Sequence, residues 1–413
     1  MRPSVLRGAK NGQTAKCDRL SYAGQKWDNL LSMTHDVIVI GVGGMGSAAV
    51  YHAARRGCRV LGLEQFDIPH ELGSSHGISR IIRLAYAEGP QYVPLLRRSY
   101  ELWRQLEALS GERLLIITGG IDAGLENSAI VRGVLRSCAR FHLPHEVLDA
   151  RSLNRRFPGY QLTDDIVSVY QADSGFLIPE RCIVAHVNAA LALGAEVHAR
   201  ERVLSWTAGR RDVSVRTDRG VYRARRLILS AGPWTRTLLP ALQNAAIPER
   251  QVLIWTQPLV PSRFQPGVFP IFNMEASDGR YYGFPVFSVP GFKFGRFYHL
   301  SQRGDADTMD RECHPEDEAL LRAGIRKYFP DANGPTMAMK TCIFTFTPDE
   351  HFILDLHPDS SCRVAIAAGF SGHGFKFCSV VGEIMTQLVL DGKSAFDLST
   401  FRFSRRAIRG AVR

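Results

Sequence analysis

Asp36-Val-Ile-Val-Ile40 is an unbroken β-branched run, the pattern of a strand buried on both faces. Small residues dominate the following Ser47–Arg56, as in a helix lying close against a sheet, and Gly57 ends it before a second strand, Arg59–Leu63. This is a βαβ unit. Pro90–Leu109 reads as a helix entered through proline, with Val93, Leu96, Tyr100, Trp103 and Leu106 on one side. Residues 113–124 and 165–172 read as short strands, and Pro179–Leu193 as another helix. Val213–Thr217 and Val221–Ala224 suggest a hairpin, with Leu227–Gly232 a separate buried strand. From Val252 to His299 aromatic and β-branched residues alternate with Gly and Pro, which predicts a mixed or antiparallel sheet. A helix at Pro315–Tyr328 and strands at Thr341–Phe346 and Val364–Ala368 follow. A glycine loop and a helix to about Leu390 complete the pattern.

At 413 residues the chain exceeds one ordinary core, and the absence of obvious linkers predicts domains built from interleaved segments. No apolar stretch is long enough to span a membrane. The eight cysteines are scattered without a CxxC pair, so neither a metal site nor a disulfide framework is expected, and a reducing cytoplasm fits. The net charge of +11 concentrates in the first 26 residues and in Arg402, Arg405, Arg406, Arg409 and Arg413. Neither stretch is interleaved with aromatics, so nucleic acid is not an expected partner. Residues 1–33 and 402–413 are expected to be basic tails, the first of them disordered.

Gly41, Gly43 and Gly46 stand between the first strand and its helix, the context that makes this glycine pattern a dinucleotide fingerprint. The first permits a tight turn, the second lets backbone approach a pyrophosphate, and the third brings helix and strand together. Glu64 ends the second strand, where a carboxylate can accept hydrogen bonds from ribose hydroxyls. The fingerprint alone leaves FAD and NAD open.

Further blocks stand in order along the chain: Gly73-Ser-Ser-His-Gly-Ile-Ser-Arg-Ile-Ile-Arg-Leu-Ala-Tyr86, Tyr281-Tyr-Gly-Phe-Pro285, Gly291-Phe-Lys-Phe-Gly295, Lys340-Thr-Cys-Ile-Phe-Thr345 and Ala367-Ala-Gly-Phe-Ser-Gly-His-Gly-Phe-Lys-Phe377. With the fingerprint they resemble the monomeric sarcosine oxidase family, including its N-methyltryptophan and pipecolate oxidase relatives, from about Asp36 to about Phe401. The resemblance implies an α/β (α+β) fold. An FAD-binding Rossmann-type domain (34–115, 172–248 and 340–401) would interleave with a substrate domain on a mixed, largely antiparallel sheet (116–171 and 249–339).

It also implies FAD joined through its 8α-methyl to Cys342, with His76, Arg80, Gly372, Gly374 and Lys376 around the flavin. Arg83 and Lys376 would hold a substrate carboxylate, and Tyr282 and Phe344 would line the pocket. Lys293, Arg80 and Tyr282 would be the catalytic set, with Lys293 promoting reaction with oxygen. The implied reaction oxidises a small secondary-amine amino acid to an imine, reduces O₂ to hydrogen peroxide, and needs no metal. A monomer is expected. Cyclic imino acids and N-methyltryptophan are alternative substrates, and a flavin domain acting on modified tRNA is the alternative from another class. Two departures touch the substrate cavity. The family histidine four residues past the lysine is missing, leaving His299 as a candidate substitute, and Phe344 stands in place of a tyrosine.

Overall fold

The computed structural model describes residues 34–288 and 291–412; the expected N-terminal tail lies outside them. Thr34–Ile40 runs parallel to Val60–Leu63 on one side and to Val221–Leu229 on the other. Val364–Ala368 and Glu196–His198 extend this parallel core in both directions. Val37, Ile38 and Val39 are wholly buried, as a strand covered on both faces requires. The Gly44–Arg55, Pro179–Ala192 and Cys378–Asp391 helices pack beside one another over this sheet. Gly382 sits so close to the Ala48 backbone that a Cβ there would lie 2.5 Å from it. Small residues therefore set the helix spacing.

A second sheet of eight strands is antiparallel except where Ile271–Ala276 runs parallel to Gly120–Leu125. Its core is a stack of aromatic rings, Phe269, Phe272, Phe292, Phe294 and Phe329. The third sheet of the described residues has three strands, Arg80–Ile82, Gly175–Leu177 and Leu115–Ile117.

The structure redraws several sequence-based boundaries. Val221–Leu229 is one strand rather than two. Its first half pairs with Val213–Thr217 and its second with Thr34–Ile40 and Val364–Ala368. Arg225 and Arg226 disguised this continuity, but Arg225 is exposed and Arg226 reaches out to the Val389 carbonyl at 2.8 Å. The expected domain limits at 248/249 and 339/340 fall inside the strands Ile247–Thr256 and Thr336–Phe346, which pair along their whole lengths in the second sheet. Helices at Ala129–Phe141 and Ala150–Arg156 had no counterpart in the pattern reading. The basic C-terminal residues are not a free tail. Arg405 grips Asp349 through two contacts of 2.8 Å and also bonds the His351 and Phe352 carbonyls, while Ile408 of the Arg406–Val412 helix is buried.

Candidate active site

One deep cleft runs from the glycine turn of the parallel sheet to the aromatic face of the second sheet. At its first end the three motif glycines have different reasons to be glycine. Gly41 has φ +83°, and a Cβ there would sit 2.6 Å from the Ser230 carbonyl. A Cβ on Gly46 would lie 1.7 Å from the Gly41 oxygen, so this residue serves helix–strand contact. Gly43 is different: no protein atom comes within 3.7 Å of its missing Cβ, and it lines the cleft. Space on that side is left for something other than protein, beside a helix N-terminus suited to an anion. Glu64 lines the cleft too, anchored by the Val42 amide at 2.9 Å and the Phe66 amide at 3.1 Å. The residues fit a dinucleotide.

Midway along, Arg80 lines the cleft, and its guanidinium reaches backwards to the Ser74 carbonyl at 3.2 Å and the Cys342 sulfur at 3.6 Å. Cys342 itself is fully buried one layer behind the wall, under Gly73 and Ser74. Burial raises its thiol pKa, while Arg80 and Lys293 oppose that rise. Lys293 is likewise behind the wall, donating to the Gly77 and Ser79 carbonyls at 2.7 Å and lying 4.4 Å from the Phe284 ring centre. Burial next to Arg80 pulls its pKa down. His76 is wholly buried in the same region; neither ring nitrogen has a hydrogen-bond partner, and burial beside Arg80 and Lys293 keeps it neutral. Arg80 is thus the point where this hidden group meets the cleft.

At the far end Gly372, Gly374 and Lys376 come from the C-terminal glycine loop and face Tyr282 and Phe344. A Cβ on Gly372 would approach Phe344 to 2.4 Å, so the ring and the loop fit only because the side chain is missing. The Lys376 backbone is pinned by Ser99 and Trp103, which donate to its carbonyl at 2.8 and 3.0 Å. Its ammonium donates to the His373 carbonyl at 2.8 Å and the Tyr86 hydroxyl at 3.3 Å. Arg83 is 4% exposed and close to it, near Asp122 at 3.2 Å and Glu88 at 3.6 Å. Burial and then Arg83 lower the Lys376 pKa to about 7. The two cations therefore meet at one place, although nearly three hundred residues separate them in sequence.

The pattern reading missed much of this end. Glu88, Asn273, Arg280, Phe297 and His373 all line the cleft, and Asp122 stands behind Arg83 and Asn273. A lone carboxylate inside the otherwise uncharged strand Gly120–Leu125 was a signal for Asp122; Arg280 and Phe297 offered none. His299 does not replace the family histidine. It is buried against Asp317 at 2.8 Å, away from the cleft, and Phe297 presents its ring there instead.

Residues 36–388 match the family described as FAD dependent oxidoreductase. The chain is 42% identical over 376 residues to a monomeric sarcosine oxidase of Streptomyces avermitilis, covering 90% of this chain and 97% of that one. It is 34% identical to an N-methyl-L-tryptophan oxidase of Yersinia pestis, covering 90% and 100%. Its fold is similar to that of NikD, an unusual amino acid oxidase essential for nikkomycin biosynthesis, with a TM-score of 0.78, 25% identity and coverage of 90% and 98%. A family match over residues 36–388, on a fold with the glycine turn and a cleft between two sheets, means that this chain belongs to the FAD dependent oxidoreductase family.

Proposed function

We propose that the chain is an oxidase of small secondary-amine amino acids, with FAD in the cleft and the substrate carboxylate between Arg83 and Lys376. The observation that carries this reading is the convergence of these two buried cations on the far end of the same cleft that begins at the glycine turn. The sarcosine and N-methyl-L-tryptophan oxidases among its relatives support it. Gly41, Gly43 and Gly46 would seat the pyrophosphate and Glu64 the ribose; Gly372 and Gly374 would border the ring, and Cys342 would anchor it covalently. Bound there, FAD would supply the two-electron redox chemistry that links oxidation at the carbon next to nitrogen to reduction of oxygen.

The residues do the rest. A guanidinium and an ammonium clamp a carboxylate and fix which carbon faces the ring. Tyr282, Phe297 and Phe344 exclude water around the amine. Lys293, held by two carbonyls near Arg80, places positive charge where oxygen reduction develops negative charge. Nothing in this scheme demands an acid–base dyad. In the proposed domain division the parallel sheet carries the cofactor and the aromatic sheet the substrate.

The test is a turnover screen of sarcosine, other N-methyl amino acids, proline and pipecolate, read by peroxide release. Peroxide with one class and none with the matching carboxylate-free amine is the expected result. Equal turnover of the amine lacking a carboxylate rejects the clamp. Flavin reduction without peroxide makes the enzyme a dehydrogenase.

A further inference from the structure

Beyond Arg83 the cleft ends in a second polar group that a carboxylate clamp does not need. Arg280 lines the cleft with its guanidinium carbon 4.3 Å from the Phe297 ring centre. Its Nη2 donates to Glu88 Oε1 at 2.9 Å and its Nε to Asn273 Oδ1 at 3.3 Å. Asn273 in turn donates through Nδ2 to Asp122 at 3.0 Å, which fixes the orientation of its amide. Among the described residues Arg280 Nη1 has no partner. Glu88 Oε2 and Arg83 Nε are buried without a hydrogen bond, their nearest opposite charges being Arg83 Nη2 at 3.6 Å and Asp122 Oδ1 at 3.2 Å. Buried groups without a hydrogen bond are rare, and here an unpartnered donor, Arg280 Nη1, and an acceptor held only by a loose ion-pair contact, Glu88 Oε2, sit on neighbouring side chains at a cleft wall.

Charge narrows what can fill the place. With Lys376 protonated, Arg83, Arg280 and Lys376 carry three positive charges against two negative ones on Glu88 and Asp122, leaving one in excess. A substrate α-carboxylate cancels that excess. A second carboxylate would then be uncompensated and would face Glu88 Oε2, whereas an apolar group would leave both free polar atoms dry and unpaired.

We infer that the Arg280–Glu88 pair forms a side-chain subsite, and that the preferred substrate is a secondary-amine amino acid whose side chain ends in a neutral group that both accepts and donates, a primary carboxamide being the simplest. The carboxamide oxygen accepts from Arg280 and its NH₂ donates to Glu88. This rests on the carboxylate clamp proposed above and adds the chemistry of the substrate's other end.

The experiment is calorimetric titration of the holoenzyme with three unreactive acids of one shape: succinamate, succinate and 4-methylpentanoate. Succinamate should bind at least about tenfold tighter than either of the others, because only it satisfies both free atoms. Arg280→Leu should collapse this ratio towards one. Glu88→Gln, which keeps the shape and adds a donor, should shift preference towards succinate and serves where the Leu variant does not fold. Equal binding of all three acids by the wild type overturns the subsite but leaves the clamp standing. So does an Arg280→Leu variant that weakens all three in the same proportion. If none of them binds, the clamp and the subsite fall together.

Discussion

Two buried charged groups in this molecule look alike in composition and differ in completeness. Behind the second sheet, Arg250 donates to both oxygens of Asp317 at 2.8 and 2.7 Å, to Gln302 at 3.1 Å and to the Asp310 carbonyl at 3.2 Å. Asp317 also accepts the His314 amide and His299, so it caps a helix while balancing a guanidinium. Every polar side-chain atom of Arg250 and Asp317 is used, and the one atom of the group without a partner among the described residues, His299 Nδ1, lies away from the cleft. Around Arg83 and Glu88 the charges are equally hidden, yet Arg83 Nε and Glu88 Oε2 have no hydrogen bond. Both sites hold Glu88 or Asp317 well below the usual carboxylate range, through neighbouring arginines. Shifted pKa values therefore do not separate a brace from a binding site. Unfilled hydrogen-bonding capacity facing a cleft does.

The largest effect should come from breaking the complete group. Asp317→Ala leaves Arg250 and His299 without a counter-charge in a dry place and should cost about 3–5 kcal/mol of stability. Thermal melting checks this, and per-molecule activity of the folded fraction should hold. A loss of activity without a loss of stability would place His299 in catalysis after all.

Lys293 stands between the two cases, satisfied by carbonyls yet next to Arg80 at the cleft wall. Lys293→Met should slow reoxidation of the reduced enzyme by roughly a hundredfold, with a much smaller effect on anaerobic reduction. Stopped-flow measurement of both half-reactions decides; equal losses would make Lys293 a packing residue like Arg250.

The incomplete group should tolerate mutation better but bind worse. Arg83→Ala and Lys376→Ala should each weaken carboxylate ligands about ten- to a hundredfold, with flavin content little changed. Calorimetry with succinamate measures the loss, and a melting temperature depressed as far as in Asp317→Ala would erase the contrast between the sites.

The smallest effect is on pH. With the Lys376 pKa lowered to about 7 by burial and Arg83, the clamp is fully charged below pH 7 and loses its ammonium above it. Carboxylate binding should therefore weaken by up to about tenfold per unit above pH 7 and take up a proton there. Lys376→Met should flatten that limb. An unchanged limb in the variant assigns the titration to another group.

How much was legible beforehand differs from one end of the cleft to the other. The glycine turn, its flanking strand and helix, and Glu64 are contiguous, and each has a local reason visible in the chain. Arg83, Lys376, Tyr282 and Phe344 were named through a family resemblance, and the fold does bring them to one cleft. Arg280 and Asn273 were not named, because a single charged or amide residue in a strand carries no mark of its role, and the signal at Asp122, a lone carboxylate in an uncharged strand, does not say what it will meet. For His299 the sequence left the question open, and the fold answers it: a histidine close in sequence to the expected position points into a structural network instead.

Local pattern and chemistry by themselves determined the βαβ unit, its glycine turn and the run of an antiparallel sheet. These depend on neighbours a few residues away, through β-branching, helix spacing and glycine conformation. Only the tertiary structure decided that Arg225 and Arg226 continue a buried strand, that Arg405 latches the C-terminus to Asp349, and that Arg280 stacks on Phe297 over Glu88. Each of those depends on partners tens to hundreds of residues away. A charged side chain's role is set by whether its hydrogen bonds are completed there, which no stretch of sequence around it records.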